Sequence, residues 1–420
     1  MIEQASRAAG VAGETTGAEY ILSARAVRDR AQQLLQMNRD GRGEFIVHSD
    51  RVGAVAKFVV RVIREKYEDL NIPYHSRFNH FRVGGVDREK ILDKKIAALP
   101  RDERARIKID LAVTSVLLDA GAGDDWTYTE NGHLYSRSEG LAVASYNMFS
   151  SGTFSSAREN PLIADASGLM QMTEEHIRNG FQVSVSNPLL GAAGRAELLH
   201  RLGKAIEPAS KYFAGAEYHR PGYLLDYFLK LAPDRKLEAS EVLKAVLHGF
   251  GPIWPGRLTV EDAELGRVNL GDTWRHSGLG SSLFDSLVPF HKLSQWMTYS
   301  LLTPLEEAGF TIVNLDELTG LAEYRNGGLM IDSGLIEPRE DYRGLSLHLD
   351  SKVIVEWRAL TVALLDEIAV HVRQLLDLTA EQLPLAKVLE GGTWWAGRKL
   401  AFDKRGGRPP FDIISDGTVF

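Results

Sequence analysis

Apolar residues along the 420-residue chain recur mostly at three- and four-residue intervals, the period of helices that bury one face. Tyr20, Ile21, Ala24, Val27, Ala31 and Leu34 predict a first amphipathic helix, preceded by a small, polar stretch over residues 1–17 that reads as a frayed terminus. Ser49-Asp50 is expected to cap a second helix carried by Val52, Val55, Ala56, Val59 and Val60. Pro100-Arg101-Asp102-Glu103 opens a third, leading into KIDLAVTSVLLD. Helical spacing resumes in EGLAVASYNMF, GRAELLHRLGKAI, YLLDYFLKL, SEVLKAVLHGF and PFHKLSQWMTYSLL, and the longest run is VIVEWRALTVALLDEIAVHVRQLL. Alternation flanks Asn131-Gly132 in WTYTENGHLYSRS, and this dipeptide suits the two positive-φ positions of a type I′ turn, so a hairpin is expected near residues 126–138. The closing stretch, residues 391–420, is rich in glycine, proline and aromatics. It reads as an irregular segment packed back onto the body. The expectation is a mainly α protein: one large helical domain over residues 18–390 with a small β-hairpin appendage.

Composition narrows the chemistry. Lys and Arg total 49 against 56 for Asp and Glu, a net charge of −7 that offers no basic surplus for a phosphate backbone, so nucleic acid is not an expected partner. The absence of cysteine removes disulfides, thiolate zinc sites and a cysteine nucleophile, and fits a reducing compartment. No charged start precedes an apolar leader, and no run approaches the roughly 18 apolar residues of a spanning helix, so no membrane association is expected and the cytoplasm is the default. Phosphate-cradling glycine loops, H-E-x-x-H and G-x-S-x-G are missing. His75 and His80 are not spaced to share a helical face, so neither a metal nor another cofactor is expected.

Several segments combine charge, glycine and aromatics. HFRVGGVDR places Arg82 and Arg88 around Gly84-Gly85, either a ligand-approaching backbone or a turn with solvated arginines. LLDAGAGDDW carries Asp119 off the end of an apolar helix, facing a pocket or simply ending the helix, and continues to Trp126. Arg137, Ser138 and Glu139 follow the hairpin. GDTWRH and VPFHKLSQW, the latter with His291, pair histidine with a cation and tryptophan, a set suited to an anionic ligand with a flat moiety or to an ordinary core with charges turned outward. The densest cluster is Leu315 to Gly334, where Asp316, Glu317, Glu323, Arg325 and Asp332 crowd among Leu318, Leu321, Leu329 and Met330, and Asn326-Gly327-Gly328 permits a sharp turn. Carboxylates held among apolar neighbours are candidates for split proton affinities, while a salt-bridged helix end is the plainer reading. Glu356 and Arg358 lie inside an otherwise apolar helix, so one of them must face inward or toward a cleft. LEGGTWWAGRK adds Glu390, Trp394 and Arg398, a possible lid.

Taken together, HFRVGGVDR, LLDAGAGDDWTY, RSEGLAVASYNMFSSGTFS, NPLLGAAGR, VPFHKLSQWMTYSLLTPLEEAGF, LDELTGLAEYRNGGL, VIVEWRALTVALLD, LEGGTWWAGR and ISDGTVF resemble the fourth-protein family of the URC pathway of uracil catabolism, found in fungi and bacteria. The resemblance covers about His80 to Phe420. It implies a role after ring opening of uridine monophosphate by a protein similar to GTP cyclohydrolase II, in a pathway that releases urea, with a ribosylated urea as the intermediate. LTGLAEYR is also similar to the Leu-Thr-x-Phe-Ala-Asp-Tyr-Arg stretch of queuosine salvage N-ribosyl hydrolases, which have a helical, DNA-glycosylase-like fold. Here Glu323 replaces the aspartate and Leu321 the phenylalanine.

These resemblances imply an N-ribosyl hydrolase acting on a ribosylurea or its 5-phosphate. Cleavage through an oxocarbenium-like state requires a carboxylate at the anomeric carbon. Glu323 is expected there, with Asp316 or Asp119 as the second carboxylate and His291 as the proton donor to the leaving nitrogen. Arg325, Arg358 and Arg82 are expected to hold phosphate or urea oxygen. Glu356, Arg137 and Asp332 are further candidate substrate contacts, and Trp126 and Trp394 would close the pocket. The expected partner is a small ribosylated urea or ring-opened uridine nucleotide, with possible association with other uracil-catabolism enzymes. Two alternatives stay open: a non-catalytic protein that hands the ring-opened nucleotide on, and an amidohydrolase acting on it.

Overall fold

Helix Lys352–Leu376 is the axis of the molecule. Its 25 residues include neither glycine nor proline, and residues 353–365 are buried all round while the C-terminal half turns one face to solvent. Helices Ala24–Arg39, Val52–Lys66 and Tyr324–Asp332 pack against it, and Trp394–Arg405 lies on Tyr324–Asp332. A second layer joins Lys292–Glu307 to Arg101–Leu117, and Ala192–Ile206 packs with Ala166–Met170 and Glu174–Gly180. The computed structural model describes residues 17–119, 121–123, 125–207, 210–213, 215, 219–263 and 265–414. The stretch read as frayed lies, apart from Gly17, outside them.

The fold is mainly α. Among the described residues the strands form six separate two-stranded pairs, and no helix is long and apolar enough to cross a membrane. The expected hairpin is present as Thr127–Glu130 against His133–Ser136, with Asn131 and Gly132 at φ of 50° and 79°. Arg101–Leu117 begins after Pro100, and Val52–Lys66 follows a single 3-10 turn, Ser49–Arg51.

Three expectations change. The first helix is two pieces, Gly17–Ile21 and Ala24–Arg39, because Ser23 is extended and its hydroxyl accepts the Ala26 N–H at 3.1 Å. Asn326-Gly327-Gly328 does not turn the chain; it lies inside helix Tyr324–Asp332. Gly327 is there for proximity, since a Cβ would stand 2.6 Å from the Trp357 ring, whose Nε1 donates to the Gly327 carbonyl at 3.0 Å. The closing segment is not irregular throughout: a π-helical turn, Leu389–Thr393, leads into helix Trp394–Arg405. Gly397 lets that helix approach its neighbour, because a Cβ would fall 2.0 Å from the Arg325 carbonyl oxygen. Strand Asp412–Ile414 then pairs parallel with Ser346–His348, fastening the segment to the body, while residues 415–420 lie outside the described part.

Candidate active site

Asp119 and Glu323, far apart in the chain, share one electrostatic neighbour in Lys292. Asp119 sits just past helix Arg101–Leu117, with Oδ2 accepting from the Ser138 hydroxyl at 3.3 Å and Oδ1 2.8 Å from Nη1 of fully buried Arg77. Glu323 is the N-cap of Tyr324–Asp332, and its two oxygens accept the Arg325 and Asn326 N–H groups at 2.6 Å each. Such capping holds a carboxylate rigidly at the positive end of a helix. Lys292 opens helix Lys292–Glu307 directly after His291, which is left-handed at φ 47°, and its backbone N–H donates to Asp272 at 3.1 Å.

Charge and burial oppose each other at all three groups. Burial raises the Glu323 carboxyl above its ordinary value, more than its two backbone N–H bonds and the Lys292 and Arg325 cations lower it. Asp119 is likewise raised by burial against the pull of Arg77 and Lys292. The Lys292 amine is lowered by burial, with the Glu323 and Asp119 carboxylates opposing that shift. Two carboxyls that take protons more readily than usual thus share the field of an ammonium that releases one more readily, a combination suited to acid–base work.

Aromatic rings wall the site. The His80 ring lies 5.9 Å from Trp296 and 6.1 Å from Trp394, His75 is 6.1 Å from Trp394, and Arg77 stands 5.6 Å from the Trp296 ring centre. Burial, with Arg77 adding to it, pushes His80 down to about 3, so its imidazole is neutral near pH 7. His75 Nδ1 meets Glu390 Oε2 at 2.8 Å, which occupies both groups. Lys292, Tyr324, His80 and Trp394 keep some accessible surface although deeply enclosed, as side chains lining a recess do. Three polar atoms here are buried with no hydrogen-bond partner among the described residues: Arg77 Nη2, Asp119 Oδ1 and Trp296 Nε1. Asp119 Oδ1 is close to Arg77 but not aligned for a hydrogen bond. Two donors and one acceptor are therefore left for a polar ligand or water, since buried polar groups are otherwise almost always satisfied.

A family described as "Protein of unknown function (DUF1688)" matches residues 20–420. The chain belongs to this family. It is 38% identical over 436 residues to "Uracil catabolism protein 4" of Lachancea kluyveri, covering 96% of this chain and 98% of that one. It is 39% identical over 414 residues to "Protein urg3" of Schizosaccharomyces pombe (strain 972 / ATCC 24843), covering 95% and 98%.

The other sequence candidates of this DUF1688 chain are placed as follows. Trp394 reaches the aromatic wall, and Arg325 flanks the site, with Nη1 donating to the Gly407 carbonyl at 3.0 Å and its guanidinium 4.7 Å from the Tyr324 ring. Arg137 donates to the same carbonyl at 3.2 Å. Arg358 lies behind the site rather than in it: its terminal nitrogens bond both Asp272 oxygens at 2.8 and 2.7 Å and its Nε donates to the Ala322 carbonyl at 3.3 Å. Glu356 is remote, bonded to His276 Nε2 at 3.0 Å and to the Glu44 N–H at 2.6 Å. Both in-helix charges thus face inward, each with a partner.

Asp316 is likewise not brought to Glu323, for its carboxylate joins Arg373 at 2.5 Å and the Leu385 N–H at 2.8 Å. His291 gives its Nε2 proton to the Ile21 carbonyl at 2.8 Å, and burial holds its pKa down, so it has no proton free for a leaving group. Trp126 is core, donating to the Phe181 carbonyl at 2.9 Å; Arg82 pairs with Glu89 and is half-exposed; Asp332 clamps Arg405 through both oxygens. The sequence reading passed over Lys292, Arg77 and Trp296 as site residues. PFHKLSQW did flag a cation beside a tryptophan, but nothing in HSRFNHF announces that Arg77 is fully enclosed.

Proposed function

We propose that this chain is an enzyme of uracil catabolism that hydrolyses the N-ribosyl bond of a ribosylated urea, giving a ribose and urea. The name of its Lachancea kluyveri relative, a uracil catabolism protein, supports the pathway. The observation that carries the reaction is the set of unpartnered atoms, Arg77 Nη2, Trp296 Nε1 and Asp119 Oδ1. A urea group has one oxygen that accepts and nitrogens that donate, so it complements two donors beside one acceptor. Glu323 then faces the anomeric carbon, where its carboxylate stabilises the developing cation and takes a proton from the attacking water. Water adds to C1′ as the C1′–N bond breaks, and the leaving nitrogen takes a proton from the Lys292 ammonium, which burial makes more acidic. Proton return from Glu323 to Lys292 closes the cycle. The tryptophans exclude bulk water from the cation.

The test is to mix the purified protein with ribosylurea and measure free urea. Release that falls on the order of 10²- to 10⁴-fold in Glu323→Gln supports the reading. Binding without any urea at high protein concentration replaces it with a hand-over role, and ammonia with a carbamate product, identified by mass, replaces it with amide hydrolysis.

A further inference from the structure

An open recess of about 560 Å³ lies beside the site, lined among the described residues by Arg137, Lys404, Arg405, Gly406 and Arg408, with Asp403 as the one carboxylate among them. Four cations against one anion is a local reversal in a chain whose net charge is −7. Asp332 offsets part of this by holding Arg405 through both oxygens, which also fixes the plane of that guanidinium, and the Asp332 carbonyl accepts from Lys404 Nζ at 2.6 Å. Arg408 is exposed in the turn after helix Trp394–Arg405, with its Nε donating to the Arg405 carbonyl at 3.3 Å.

Two backbone features place the cavity. Gly406 and Gly407, at φ of 60° and 88°, reverse the chain in conformations that side chains disfavour, and the Gly407 carbonyl is thereby set between Arg137 and Arg325. Arg137 itself is left-handed at φ 53°, an unfavourable state for a non-glycine residue, at the junction between the hairpin and helix Arg137–Ser150. The connection to the active site runs through Tyr324, whose surroundings include Arg325, Glu323, Arg137 and Asp119 together. Ser138, next to Arg137 in the chain, donates to Asp119 at 3.3 Å, and Arg325, two residues after Glu323, shares the Gly407 carbonyl with Arg137, so the cationic lining adjoins both carboxylates.

We infer that this cavity is a phosphate-ester site, and that it holds the 5-phosphate of a ribosyl substrate whose anomeric carbon reaches Asp119 and Glu323. Planar guanidinium groups match phosphate oxygens in pairs, and a lysine adds a point charge. A phosphate on C5 and the reacting C1 are at opposite ends of one ribose ring, a short separation that suits adjoining pockets. This assignment rests on the proposed reading of Asp119 and Glu323 as the reacting carboxylates.

Calorimetric titration with ribose 5-phosphate and with ribose tests the site without relying on turnover. Ribose 5-phosphate is expected to bind at least about tenfold more tightly than ribose, and Arg408→Ala, at an exposed position that leaves folding intact, is expected to remove about tenfold of that preference. Arg137→Gln should act in the same direction. Equal binding of the two sugars, or a preference unchanged in both variants, overturns the inference, even if urea is released from unphosphorylated ribosylurea. An Arg408-dependent preference in a protein that releases no urea supports the phosphate site and removes the hydrolase reading instead.

Discussion

Asp272–Arg358 and Asp119–Arg77 are both buried aspartate–arginine pairs, and they differ in how completely their polar atoms are used. Asp272 is bonded by both Arg358 terminal nitrogens, by Trp274 Nε1 at 2.8 Å and by the Lys292 N–H. Burial raises its carboxyl, but these bonds overcome that and bring it down to about 2. Asp119 meets Arg77 at one oxygen only, that oxygen lacks an aligned donor, and burial leaves its carboxyl raised. A saturated pair has nothing left for a ligand and ties together a strand pair, a long helix and the start of Lys292–Glu307. The incomplete pair keeps binding capacity, which is what a reacting site needs.

The sharpest way to break this contrast is to mutate each side and read activity and stability separately. Glu323→Gln is expected to lose about 10²- to 10⁴-fold in urea release while its altered helix cap costs about 1 kcal/mol in a denaturant titration. Full activity would move the reacting carboxylate elsewhere. Asp272→Ala should show the largest stability loss, about 3–5 kcal/mol, because Arg358 is left buried without its partner. A loss below about 1 kcal/mol would remove its structural role.

Asp119→Asn should reverse that balance, with activity reduced by about 10²-fold or more and a smaller drop in denaturation midpoint than Asp272→Ala. Acid response sharpens the comparison further. His80 is neutral in the folded protein because its pKa is depressed from 6.5 to about 3, so its contribution is fully present above about 6.5 and is lost as pH falls toward about 3. Denaturation midpoints of His80→Asn should therefore decline less than wild type between pH 7 and pH 4, and parallel curves would remove His80 from that response. The smallest effect is expected at Asp316→Asn, about 1 kcal/mol in stability with urea release within about threefold of wild type.

What was legible in the sequence follows from locality. Glu323 stood out through the charge cluster among apolar neighbours and the likeness of LTGLAEYR to the queuosine salvage stretch, and Asp119 because it ends an apolar helix, and these features are carried by adjacent residues. Arg77 was not legible as a site residue, and Trp296 only as the tryptophan of VPFHKLSQW, for what distinguishes both is the absence of a partner among the described residues at one buried atom. Arg358 and Glu356 showed the converse: their position inside an apolar helix signalled burial correctly, while the partners that saturate them, Asp272 and His276, are the two residues that flank a distant strand, Thr273–Arg275. The glycines after Arg325 misled because a glycine that admits a turn and one that admits a neighbouring ring look alike in one dimension.

By itself the sequence determined the mainly helical class, the long central helix, the hairpin at Asn131-Gly132 and the place of Asp119 at a helix end, because each depends on periodicity or on a few contiguous residues. Only the tertiary structure decided that Asp119 and Glu323 share Lys292, that Asp316 and His291 are committed elsewhere, and that a cationic cavity adjoins the site. Those facts depend on which polar atoms find partners when distant segments pack, and hydrogen-bond saturation is a property of the packed whole.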